Sequence, residues 1–114
     1  MQFVRVFTAD DGKPRFEHID PVRGEAWSKG FDVATCTVRE LAAGTVMDWH
    51  PAPRRQLVIH LSGELEIELR DGAVQRFGPG DSRLMDDVTG AGHLTRVLGA
   101  APVVQAVLVL SEAQ

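Results

Sequence analysis

The 114-residue sequence predicts an all-β sandwich or barrel, and three observations carry that reading. Turn signals recur at short spacing: Asp10-Asp11-Gly12-Lys13-Pro14, Ala42-Ala43-Gly44, Ser62-Gly63, Asp71-Gly72, Gly78-Pro79-Gly80 and Gly90-Ala91-Gly92. The segments between them are short and rich in Val, Ile, Leu, Thr and Phe, which is the composition of strands. One of them, Glu64-Leu65-Glu66-Ile67-Glu68-Leu69-Arg70, alternates charged and apolar residues throughout, so one face is buried and the other is wet.

Along the chain, residues 2–8 and 15–19 read as a hairpin at a sheet edge, whereas residues 21–30, with Trp27, show no clear period. Residues 31–41 form the next strand. From Gln56 to Leu61 both faces carry apolar residues, which predicts a strand covered on both sides, and Val103–Leu110 reads the same way, broken only by Gln105. After the alternating segment, Asp71-Gly72 turns the chain. A three-residue loop with Gly72 in the left-handed region is expected to set Arg76 opposite Glu68 and Phe77 opposite Ile67.

The length fits one domain spanning residues 1–114, with residues 1–30 as N-terminal edge strands and a loop. A formal charge of −4 and a pI near 5.5 argue against nucleic acid or an acidic membrane surface as partners, because both require a basic face. Small molecules or other proteins fit better. The single cysteine, Cys36, forms no intramolecular disulfide or multi-cysteine metal site, and it reads as a small core residue in a strand. With no apolar leader behind a basic start and no membrane-length run, the expected location is the cytoplasm. The apolar surplus of strands 56–61 and 103–110 predicts a homodimer.

The region from Gly44 to Gly63 carries the most specific pattern. Gly44 is followed after five residues by His50; Ala52 comes two residues later, Gln56 four residues after that, and Gly63 closes the run. This spacing resembles the first motif of the cupins, in which Ala52 stands at a second histidine position and Gln56 at a glutamate position. The second cupin motif is similar to the run from Gly80, with Asp86 at a proline position and Val88 at a glycine position. Thr89-Gly90-Ala91-Gly92 then delivers His93 two residues late. Pro79-Gly80-Asp81 resembles the turn that opens this strand in cupins. The resemblance covers residues 44–93 and implies a cupin-type double-stranded β-helix, the jelly-roll barrel.

The same resemblance implies a small-molecule pocket with one divalent ion (Zn, Ni, Fe or Mn) at His50, Gln56 and His93. Catalysis there would be an oxygenase, isomerase or hydrolytic reaction on a small polar substrate. Two alternatives stand beside it: a ligand-binding or sensing domain that has lost the metal, and a metal-free isomerase with a histidine base.

Read without the family, strand parity puts Arg54, Gln56, Val58 and His60 on one face. Such polar groups inside a barrel need partners, because each left unpaired costs about 1 to 3 kcal/mol. Two imidazoles and an amide oxygen can ligate a divalent ion, yet Gln56 brings no negative charge and Ala52 no donor. Candidate substrate contacts are Arg54, for a bidentate grip on a carboxylate, and His60. His60 and Asp87 are the candidate catalytic groups. Asp87 has two further readings, as a carboxylate next to the ion or as the residue that holds the Thr89–Gly92 loop. Trp49, next to His50 in sequence, should face the other way. Phosphate loops, nucleophile elbows and HExxH are absent from the sequence.

Overall fold

The structure is a computed structural model describing residues 1–20 and 29–111; Trp27 and its surroundings, the stretch without a readable period, lie outside the described residues. Ten strands follow one another: β1 (Phe3–Thr8), β2 (Pro14–His18), β3 (Val33–Leu41), β4 (Val46–His50), β5 (Gln56–Ser62), β6 (Glu64–Leu69), β7 (Val74–Phe77), β8 (Ser82–Asp86), β9 (His93–Leu98) and β10 (Val103–Leu110). No helix occurs among the described residues. The strands form a six-stranded sheet, ordered β2-β1-β8-β5-β10-β3, facing a four-stranded sheet, ordered β4-β9-β6-β7. Every pairing is antiparallel except β1 with β8. The result is a jelly-roll barrel with its core between the two sheets.

Alternation decides which side chains enter that core. Leu65, Ile67 and Leu69 of β6 are at most 1% exposed, while Glu66 and Glu68 point outward and share Arg96 of β9, at 3.2 and 2.7 Å. Val58 of β5, Val4 and Val6 of β1 and Phe77 of β7 complete the centre. β5 and β10 are apolar on both faces because a second cluster lies outside the six-stranded sheet. There Leu57, Leu84 and Leu110 are covered by Phe31, Ile59 and Leu108.

The turn between β6 and β7 has the expected three-residue loop, and Gly72 has φ = 90°. Its register differs from the sequence expectation by two residues: Arg76 faces Glu66 and Phe77 faces Leu65. The loop closes directly on the Leu69/Ala73 pair, where Leu69 N–H donates to Ala73 C=O at 2.8 Å. A two-residue shift preserves the faces, so Phe77 is still buried.

The expectation for Cys36 is corrected. It lies in β3 but is exposed, as are its neighbours from Val33 to Glu40. β3 is the last strand of its sheet, hydrogen-bonded only to β10 among the described residues, so neither face is fully covered.

Candidate functional site

β4 and β9 are neighbours, and their ladder sets His50 directly opposite His93. The ring centroids lie 5.0 Å apart with planes tilted by 49°. The residues preceding His93 make this possible: Gly92 has φ = 72°, and its missing side chain leaves room for the backbone of His50 and Pro51. The lengthened second motif therefore still delivers its histidine to the first.

Both imidazoles are held by Nδ1. In His50, Nδ1 lies 2.5 Å from the carbonyl of Asp48, and since a carbonyl only accepts, Nδ1 carries the proton. In His93, Nδ1 lies 2.5 Å from Oδ2 of Asp87, a fully buried carboxylate. Each contact commits Nδ1 and leaves Nε2 as the ring nitrogen available to a ligand. Asp87 thus fixes an imidazole; the loop that follows it is tied instead by Thr8, whose hydroxyl donates to the Thr89 carbonyl at 2.9 Å. Oδ1 of Asp87 is buried with no hydrogen-bond partner among the described residues.

His50, Gln56 and His93 line one cavity of about 420 Å³, walled on its apolar side by Met47, Pro51, Ala52 and Pro53. Arg54 is not part of it. Pro51 and Pro53 interrupt the strand, β5 begins only at Gln56, and strand parity does not extend back to position 54. Arg54 is exposed and lies beside Val88 and Leu110 in a separate surface recess. Arg55 pairs with Asp86, which also holds Arg5 at 2.7 Å.

The cavity's cationic groups come from elsewhere: Arg39 of β3 and Arg83 of β8. The six-stranded sheet explains their position. Gln105 of β10 lies opposite Arg39 on one side and opposite His60 of β5 on the other, forming a polar row across the barrel's inner face. Arg83 Nε donates to Nε2 of His60 at 3.1 Å, and its Nη2 donates to Gln105 Oε1 at 3.3 Å. With the Gln105 amide reversed, its oxygen instead accepts from Nε and Nη2 of Arg39 at 2.8 and 2.9 Å. His60 does not reach the cavity itself. It lies beneath Arg83, 1% exposed, stacked on Phe77 at 5.3 Å, and its Nδ1 has no partner among the described residues. Burial, reinforced by Arg83, pushes its pKa down to about 3, so it is neutral. Burial also lowers Arg83 to about 9, with Arg39 adding to the effect and Asp87 opposing it. Neither arginine was singled out from the sequence; the weak signal was Gln105, the one polar break in an apolar strand.

The charges decide how well a resident metal fits. Among the described residues the donors facing the cavity are two imidazoles and one amide, with no carboxylate, and two guanidiniums line the same space. No group of three or more His, Cys, Asp or Glu able to hold a metal ion occurs among the described residues. This donor set does not fit a stably held divalent cation.

No protein-family model and no curated protein matches the chain. Solved structures do. A Cupin 2 conserved barrel domain protein from Salinispora arenicola CNS-205 superposes with a TM-score of 0.55 at 18% identity, over 68% of this chain and 63% of that one. The DMSP lyase DddQ from Ruegeria pomeroyi DSS-3 gives 0.55 at 22%, over 73% of this chain and 41% of that one. The polyketide cyclase RemF from Streptomyces resistomycificus gives 0.55 at 17%, over 96% and 75%. At these identities the likeness defines a fold: the chain is a cupin-type β-barrel. Within that fold, its centre is a facing histidine pair beside a buried guanidinium.

Proposed function

We propose that this chain is a small-molecule-binding cupin whose ligand enters the cavity between the two sheets and meets Nε2 of His50 and His93. The observation that carries this reading is the clamping of both Nδ1 atoms on two residues that line one concave space of ligand size, which leaves each Nε2 for a ligand. Each accepts a hydrogen bond, and His93, backed by the Asp87 carboxylate, is the better placed to take up a proton if the ligand is turned over. No resident metal is required, because the cavity's donors and charges do not fit one. The exposed side chains of Leu61 and Val38 on the outer face of the six-stranded sheet support a homodimer as the working form.

The test is a screen of small metabolites by ligand-detected NMR, on protein purified without an affinity tag and repeated after chelation. Binding that survives chelation and is lost in His93→Ala is the expected result. Hits that vanish on chelation, or persist when both His50 and His93 are replaced by Ala, would overturn the reading.

A further inference from the structure

Among the described residues, the two arginines that line the cavity have no carboxylate paired with them. Arg39 and Arg83 face it from opposite ends of the polar row. Arg83 is only 3% exposed, yet its guanidinium partners are a histidine nitrogen, the Met85 sulfur at 3.2 Å and the Gln105 amide. Gln105 has one carbonyl oxygen. Turned one way it serves Arg83 and turned the other way it serves Arg39, so one of the two guanidiniums always lacks it. The carboxylate that acts on Arg83 through its charge, Asp87, has one oxygen committed to His93. In a protein of formal charge −4, this is a local positive site with walls of low dielectric, which concentrates its field on whatever enters.

Arginine in such a position matches planar, two-oxygen acceptors, and two guanidinium edges can share one carboxylate. The rest of the cavity suits a short carbon chain: Met47, Pro51, Ala52 and Pro53 supply an apolar wall, and the histidine pair lies beyond it. We propose that Arg39 and Arg83 clamp the carboxylate of a small organic acid, taking the place of the single Gln105 oxygen, with the carbon chain directed at His50 and His93. This assignment rests on the small-molecule reading above and names its ligand class.

The experiment is an NMR titration of the whole chain at pH 7 and low salt with butyrate, its uncharged isostere butyramide, and inorganic phosphate, following the His50, His93 and Thr95 signals. Butyrate is expected to bind at least about tenfold more tightly than butyramide, and Arg39→Met to remove about tenfold in butyrate affinity, a larger loss than it causes for butyramide. Arg39 is on an exposed strand, so that variant keeps its fold, and Arg83→Met serves as the second arm. Equal binding of butyrate and butyramide, or undiminished butyrate binding in Arg39→Met, overturns the clamp while leaving a small-molecule pocket in place. Phosphate binding more tightly than butyrate overturns the carboxylate assignment. If no probe moves the histidine signals, both the clamp and the pocket reading fail.

Discussion

Gly92 packs against the carbonyl of His50 so closely that a Cβ at position 92 would overlap the His50–Pro51 peptide. The short loop before β9 is therefore a spacer that sets the distance between the two histidines. Gly92→Ala is expected to cost about 3 kcal/mol, combining strain at positive φ with backbone overlap. Gly72 also has a positive φ, but a Cβ there meets nothing within 4 Å, so Gly72→Ala should cost only about 1 kcal/mol. Denaturant unfolding of both variants measures the difference; equal losses would mean that the overlap at position 92 is relieved at no cost.

Acid stability should depend on His60. Its pKa in the folded chain, about 3, lies below the unfolded value of 6.5, so the unfolded state binds the extra proton first. The contribution of neutral His60 is complete above pH 6.5, declines as the pH falls, and is gone by about pH 3. At about 1.4 kcal/mol per unit, this is a loss of several kcal/mol at most. His60→Gln should flatten the fall in melting temperature over that range. An unchanged pH profile in the variant would show that His60 is not the group responsible.

Arg83→Met should leave the fold standing, with a loss below about 2 kcal/mol, because among the described residues the guanidinium is bonded to His60, Met85 and Gln105 and to no carboxylate. Removing one partner of a true buried ion pair costs about 3 to 5 kcal/mol, so urea melts distinguish the two cases. A loss in the larger range would reveal a structural counter-charge for Arg83.

Supplying donors should turn the cavity toward metal. Ala52→His with Gln56→Glu adds an imidazole and a negative charge next to His50 and His93, and Ni²⁺ or Zn²⁺ affinity should rise by at least about tenfold, near 1.4 kcal/mol. Adding His93→Ala should cancel the gain. Calorimetric titration of the three proteins decides it; a folded double variant that binds no better than the parent would show that positions 52 and 56 do not converge with the histidines.

The outer face of the six-stranded sheet should hold two copies together. Leu61, Val33 and Val38 are 48, 43 and 65% exposed around the Leu57, Leu84 and Leu110 cluster. Sedimentation at tens of micromolar should show a dimer, about 25 kDa from a 12.4 kDa chain, and Leu61→Glu should split it. A monomer in the parent removes the proposal.

The features legible in the sequence were local. The alternation in β6, the Gly72 turn and the spacing of His50 and His93 each depend on a few consecutive residues or on a motif whose strands happen to be neighbours. What escaped depended on pairing between distant strands. Arg39, Gln105 and His60 become a row only once β3, β10 and β5 lie side by side, and Arg83 joins them from β8. Parity misled at Arg54 because two prolines end the strand before it, and at Cys36 because a sheet's last strand can be apolar and still exposed.

That last strand also carries Arg39. Among the described residues β3 is bound to the barrel through β10 alone, so the backbone groups on its other edge have no strand beside them. One of the cavity's two cations thus rides on an edge strand of the barrel, while the other is fixed in its floor. A ligand bridging the two would tether this edge strand to the core, and the tethering would register as slower deuterium uptake along residues 33–41, on both sides of Arg39 itself.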